Sequence, residues 1–322
     1  MAPAPGPEGR EFLVVAHTGR DNVHETMAVI ARRCAEAGVA LRVVDHDTMP
    51  SHPGPQYVST VYPLDPAELR EIGADVAVTT GNALSAAGCE VVIVLGGDGT
   101  FLRAAELAHP ASVPVLGINL GHIGFLAEAE ANRVDEVMTK LLDRDYEVEE
   151  RMTLDISVHI DGHVVAHSWA LNEASIQNRS RQGVLELITE VDGRPVAAFG
   201  ADGILVSTPT GSTAYAFSAG GPVMWPDLEA ILLVPSNAHA LFARPMVTSP
   251  RSLVAVEVLA RGQDALVACD GRRNIDVPAG GRIEIVRGAK PVLWVRIDSD
   301  PFADRLVRKF ELPVTGWRGR QH

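Results

Sequence analysis

Short apolar runs alternate with amphipathic stretches through the first half of the chain. Phe12–Ala16 is apolar and stops at His17-Thr18-Gly19. Val23, Met27, Ile30 and Ala31 then recur at helical spacing until Gly38, which predicts a helix over 22–37. Leu41–Val44 reads as a second strand. Residues 51–85, with Pro53, Pro55 and Pro63, are weakly patterned and predict loop. Cys89–Leu95 is β-branched and almost continuously apolar, the pattern of a strand buried on both faces of a parallel sheet. Helical Phe101–Ala108, strand-like Val113–Asn119 and amphipathic Val134–Leu142 follow. This alternation predicts a doubly wound α/β domain over 11–150.

From Arg151 the period changes to two. Leu154–Ile160 alternates strictly, and Leu185–Val191, Leu253–Leu259 and Arg282–Val286 do so less cleanly. Asp161-Gly162, Asp192-Gly193 and Gly280-Gly281 punctuate them, so 151–300 is expected to be an antiparallel, all-β, sandwich-like domain. One helical insert is expected near Thr213–Ala219. Residues 304–310 form a basic helical or extended segment, and the proline-rich residues 1–10 a disordered tail.

Composition narrows the function classes. The 322 residues carry 41 Asp and Glu against 28 Lys and Arg, a net charge of −13. So acidic a chain is not expected to bind nucleic acid or an anionic membrane without sequence or site preference. The basic residues Arg305, Arg308, Lys309, Arg318 and Arg320 gather in the last segment. Cys34, Cys89 and Cys269 are widely spaced and odd in number, which argues for a reducing, cytoplasmic setting over a disulfide framework. No apolar run approaches the ~20 residues of a membrane span.

Gly96-Gly97-Asp98-Gly99-Thr100 sits between a buried strand and a helix. Its glycines permit positive φ and close backbone approach, and the following helix start offers free N–H groups, which together make a phosphate cradle. The spacing matches neither GxGxxG nor a Walker A loop. A carboxylate inside a phosphate loop calls for a reason. Asp98 is a candidate general base or Mg²⁺ holder, with a helix-start or turn aspartate as the plain alternative.

Two further motifs carry candidate chemistry. Asn172-Glu173, after Val164–Leu171, can grip ribose hydroxyls or an adenine edge, or simply close a turn. Asp202-Gly203 through Thr210-Gly211-Ser212-Thr213-Ala214-Tyr215 to Ser218 and Gly221 is a strand, a hydroxyl-rich turn and a small-residue helix, suited to a polar ligand lying close to the backbone. Tyr215 is placed to stack on a base. His122 and His239 lack metal-ligand spacing, and Cys269-Asp270-Gly271-Arg272-Arg273 reads as a hairpin turn with a basic patch.

The order and spacing of these motifs resemble the NAD kinases. Gly121–Leu126 and His239–Pro245 fit as well, and the composition and the tail Leu312–Gly319 are similar to actinobacterial members. The GGDGT loop alone is also similar to diacylglycerol kinases and 6-phosphofructokinases. The resemblance implies an α/β domain plus an all-β domain, with residues 301–322 returning to the first. It implies phosphoryl transfer from ATP, or inorganic polyphosphate, to the 2′-hydroxyl of the adenosine ribose of NAD, giving NADP. On this resemblance Asp98 is catalytic or holds Mg²⁺, and Gly96, Gly97, Gly99 and Thr100 line the phosphate site. Asn172, Glu173, Asp202, Thr213, Ala214, Tyr215, Ser218 and His239 bind NAD. Where the family carries a basic residue two positions before the Asp202 aspartate, this chain has Gly200. A homodimer or homotetramer is implied. On the residues alone, a kinase for another hydroxyl substrate and a non-catalytic NAD(P)-binding sensor stay open.

Overall fold

The structure, a computed structural model, describes residues 9–17, 22–44, 66–121, 124–127, 129–180, 183–297 and 301–314. Contacts divide the chain into two units, Met1–Glu150 with Val292–His322, and Arg151–Pro291. The first half runs β1 Glu11–Ala16, α1 Val23–Ala37, β2 Ala40–Val44, α2 Pro66–Glu71, β3 Val76–Thr79, β4 Val91–Leu95, α3 Asp98–Ala108, β5 Val115–Asn119, β6 Ala129–Glu130, α4 Val134–Asp143 and β7 Glu147–Arg151. The middle runs β8 Leu154–Ile160, β9 His163–Ala170, β10 Glu173–Asn178, β11 Leu185–Val191, β12 Arg194–Ala201, β13 Gly203–Ser207, α5 Tyr215–Ser218, β14 Ile231–Ser236, β15 Met246–Thr248, β16 Val254–Val258, β17 Ala265–Cys269, β18 Arg273–Val277 and β19 Arg282–Arg287. β20 Val292–Arg296 and α6 Phe302–Phe310 end it.

The first unit is built on a sheet ordered β3-β2-β1-β4-β5-β20-β7, with β6 beside β5. β1 pairs in parallel with both β2 and β4, and β4 with β5. Every residue of β4 and β5 is buried, as continuous apolar runs require when helices cover both faces. One face takes the apolar stripes of α1 (Met27, Ile30, Cys34) and α4 (Val137, Met138, Leu141). In α3, Phe101 packs on Trp294 of β20 with ring centroids 4.8 Å apart.

The second unit stacks two antiparallel sheets, β15-β14-β13-β10-β17-β18 and β12-β11-β16-β19-β8-β9. Inward residues of both, such as Ile156, Leu187 and Ile285 against Ile176, Val206 and Val267, form one core. The Asp-Gly pairs close two-residue hairpins: Asp161 and Gly162 have φ of 50° and 78°, Asp192 and Gly193 of 53° and 73°. β13 and β14 depart from the expected alternation. They are buried on both faces because Ala216, Met224 and Ala230 cover the second face at Leu205, Leu232 and Val234.

Four expectations need correcting. The last segment returns to the α/β sheet at Val292, before residue 301, because β20 pairs with β5. The weakly patterned 51–85 stretch contains α2 and β3, since β3 completes its hydrogen bonding on β2; residues 51–65 lie outside the described residues. Arg10 is no part of a loose tail. Its guanidinium binds Glu90 at 2.8 and 2.9 Å and the Leu142 carbonyl at 2.7 Å, so it caps the end of α4. The helix expected over 213–219 shrinks to the single turn of α5, after a 3-10 turn at Thr210–Thr213. Among the described residues no helix is long and apolar enough to cross a membrane.

Candidate functional site

Strand order in the first unit reverses between β1 and β4, and open α/β sheets bind ligands in the crevice at the carboxyl ends of such a pair. Those ends are His17 and Gly96. The His17 N–H donates to the Leu95 carbonyl at 2.8 Å, and the Gly96 N–H to that of Ile118 at 3.0 Å. The phosphate loop therefore stands at the switch point, as its place between strand and helix requires.

The glycines act differently from expectation. Gly96, Gly97 and Gly99 all lack positive φ, so backbone freedom is not what they supply, and Gly96 supplies space instead. A Cβ on Gly96 would lie 2.5 Å from Thr100 Oγ1 and 3.2 Å from the His17 Cβ, whereas one on Gly99 would meet none of the described residues within 4 Å. Gly97 caps α3 with extended backbone, and its carbonyl accepts the Thr100 and Phe101 N–H groups at 3.0 Å each.

Asp98 is the first residue of α3 and is half-buried. It does not cap the helix. Its carboxylate reaches across to the segment after β5, where Oδ2 accepts the Phe125 N–H at 3.2 Å and Oδ1 the Leu126 N–H at 3.0 Å. An added Cβ at Gly124 would collide with this carboxylate. Phe125 in turn sits 6.1 and 5.6 Å from the rings of Phe302 and Phe310, so α6 backs the segment that holds Asp98. His122 lies outside the described residues.

In the second unit, Asn172 and Glu173 link β9 to β10 and are buried. Among the described residues Asn172 Oδ1 and Glu173 Oε2 nevertheless meet no hydrogen-bond partner. Such buried oxygens on two adjacent side chains can accept hydrogen bonds from water or from a ligand's polar groups. Burial first, and then the neighbouring Asp270 carboxylate, push the Glu173 pKa up to about 8, against a pull from the Tyr215 backbone N–H. Asp270, which the sequence presents as a plain turn residue, is buried beside them. Burial raises its pKa too, opposed by Arg273 and the Leu171 and Asn172 N–H groups. Its sequence signal was the Asp-Gly hairpin, which hides a buried carboxylate behind a common turn.

The long motif divides into a structural and an accessible part. Ser207, Thr208 and Ser212 are buried, and their hydroxyls serve the fold: Ser207 and Thr208 donate to the Asn172 and Leu171 carbonyls at 3.0 and 2.5 Å, and Ser212 to that of Pro209 at 2.7 Å. The expectation that this hydroxyl cluster faces a ligand is corrected to that extent. A Cβ on Gly211 would strike the Asn172 backbone, so only glycine allows the motif to lie against the Asn-Glu link. Thr213, half-buried, donates to the Thr210 carbonyl at 3.3 Å, while Ser218 and Tyr215 are exposed.

Asp202 and Tyr215 line one cavity of about 250 Å³ with Ser175, Gln177, Asn178 and Ser236. Asn237 Nδ2 donates to Asp202 Oδ2 at 2.7 Å. Asn172, Glu173, Thr213, Ala214, Ser218 and His239 are not in that lining. The exposed His239 joins Gly200 through its backbone N–H at 2.7 Å. A Cβ on Gly200 would lie 2.6 Å from Val184 Cγ1, so a basic side chain there has no room without moving Val184.

Similarity to known proteins extends over both units. Residues 12–146 match the model of the ATP-NAD kinase N-terminal domain, and 171–297 that of the ATP-NAD kinase C-terminal domain. The chain is 60% identical over 314 residues to the NAD kinase of Rhodococcus erythropolis, covering 98% of each chain. It is 60% identical over 317 residues to that of Nocardia farcinica, covering 98% of this chain and 96% of the relative. The fold is shared with yeast NADH kinase complexed with NADH (TM-score 0.77, 20% identity, 98% of this chain and 90% of that one). It is also shared with an NAD kinase from Archaeoglobus fulgidus in complex with ATP (TM-score 0.65, 24% identity, 94% and 100%).

Proposed function

The chain belongs to the NAD kinase family, and we propose that it transfers the terminal phosphoryl group of ATP, or of inorganic polyphosphate, to the 2′-hydroxyl of the adenosine ribose of NAD with Asp98 as general base. The observation that carries this role is the setting of Asp98, a half-buried carboxylate at the switch point, fixed by the Phe125 and Leu126 N–H groups. The ribose 2′-oxygen attacks the terminal phosphorus, its proton passes to Asp98, and the bond to the leaving phosphate breaks. Such a reaction needs positioning and charge neutralisation more than covalent help. Gly96, Gly97, Gly99 and Thr100 serve the donor phosphates, which can come close to the backbone where glycine carries no side chain. The unpaired oxygens of Asn172 and Glu173 take the ribose and adenine side of NAD. Asp202 and Tyr215, in their cavity, take the nicotinamide amide and a ring face. Thr213, Ala214, Ser218 and His239 complete the NAD contacts.

Among the described residues no three His, Cys, Asp or Glu side chains gather as a metal site. Asp98, the carboxylate of the glycine loop, is the side chain that would hold a Mg²⁺ ion arriving with the donor phosphates. When bound, it would neutralise charge on the transferring phosphoryl group. Large exposed apolar side chains at Trp225, Leu228, Leu241 and Phe242 support a homodimer or homotetramer. Three free, buried cysteines support a cytoplasmic setting.

The test compares wild type with Asp98→Asn on NAD, Mg²⁺ and ATP or polyphosphate, reading NADP with a coupled dehydrogenase. Base catalysis is worth ~10²–10⁴-fold, so turnover should drop at least about a hundredfold with little change in NAD affinity. Near-normal turnover in the variant would remove Asp98 from the role.

A further inference from the structure

Leu171 and Asn172 form a short irregular link from β9 to Glu173, the first residue of β10, and the backbone polar groups of all three are paired. The Leu171 N–H donates to Asp270 Oδ2 at 3.0 Å, and the Asn172 and Glu173 N–H groups donate to Oδ1 at 2.7 and 3.4 Å. On the carbonyl side, Thr208 Oγ1 and Ser207 Oγ donate to Leu171 and Asn172, and the Asp270 N–H donates to Glu173 at 2.9 Å. Arg273 closes the arrangement. It binds Asp270 Oδ2 at 2.7 Å and the Trp169 carbonyl at 2.8 Å, with its guanidinium 4.5 Å from the centre of the Trp169 ring. A link with a fully satisfied backbone and unpaired oxygens on its two polar side chains is held so that those side chains serve something else.

We propose that Asp270 is a positioning residue of the NAD site: without touching the dinucleotide, it gathers the three N–H groups of Leu171–Glu173 and so aims Asn172 and Glu173 at the ribose hydroxyls. Arg273 anchors Asp270 through a charge-assisted bond and ties it to β9. The proposal rests on the assignment of Asn172 and Glu173 to NAD binding. Asp270→Asn keeps an oxygen for the Asn172 and Glu173 N–H groups but turns an NH₂ group toward the Leu171 N–H and the Arg273 guanidinium, a donor facing donors.

Steady-state kinetics with NAD and ATP varied separately, on Asp270→Asn, Arg273→Gln, the double variant and Asn172→Ala, test it. Asp270→Asn should raise KM for NAD on the order of tenfold, about what one misaligned hydrogen bond costs in affinity, and leave KM for ATP within about twofold. In the double variant the glutamine oxygen accepts from the new amide, so part of the NAD affinity returns. If Asp270→Asn does not fold, Arg273→Gln alone should still raise KM for NAD severalfold with KM for ATP unchanged. A folded Asp270→Asn with wild-type KM for NAD, beside an Asn172→Ala variant whose KM rises, overturns the proposal alone. So does a parallel rise in both KM values, the mark of general damage. An unchanged KM for NAD in Asn172→Ala instead sinks the underlying assignment, and this proposal with it.

Discussion

Replacing Glu173 with glutamine removes one titratable proton from the second unit and leaves the side-chain shape intact. The folded protein holds that carboxyl 6% exposed with a pKa near 8, against an ordinary value of 4.5. Asp270, which gathers the Arg273 guanidinium and three backbone N–H groups, is the better place for the pair's single negative charge, so the proton resides on Glu173. The folded state thus binds this proton more tightly than the unfolded chain. Its contribution to stability is fully present below the unfolded pKa and is lost as the pH rises through the folded one. Between about pH 6 and about pH 8 the loss comes to about 2 kcal/mol at ~1.4 kcal/mol per pH unit. That corresponds to a melting temperature lower by on the order of 5 °C. The glutamine variant stays neutral throughout and escapes this loss. Thermal unfolding of both proteins across that range isolates the effect, because other titrating groups act on both and cancel in the difference. The two curves should nearly meet at about pH 6 and separate by about 2 kcal/mol at about pH 8. Parallel curves would mean that Glu173 is already ionised at neutral pH and that the charge assignment to Asp270 is wrong.

Gly124→Ala places a methyl group against the Asp98 carboxylate. We expect overpacking of ~1–3 kcal/mol in thermal unfolding, with turnover falling further than NAD affinity; unchanged turnover would separate Gly124 from the placement of Asp98. Excess chelator should abolish NADP formation if, as proposed, so acidic a chain needs a divalent cation beside backbone amides and local arginines to neutralise its polyanionic substrates. Undiminished NADP formation in chelator would refute that dependence.

Much of this molecule follows from local sequence. The alternation of apolar runs with helical stripes specified a parallel α/β unit. Period-two stretches joined by Asp161-Gly162 and Asp192-Gly193 specified an antiparallel one, because side-chain period and turn chemistry act over only a few residues. The GGDGT, Asn-Glu and long hydroxyl-rich motifs marked the candidate chemistry, and it was their order along the chain that resembled the NAD kinases. Tertiary structure decided the remainder. β20 reads like any apolar strand, and only its pairing with β5 carries the chain back at Val292. The weak β3 becomes a strand because β2 offers it an edge. Asp98 gains its two amide partners from residues 27 and 28 positions further on, and Asp270 its three from about a hundred positions back. The hydroxyls of Ser207, Thr208 and Ser212 turn inward because buried carbonyls need donors. Local pattern tells which residues leave water, whereas the partners they meet depend on contacts between segments far apart in the chain.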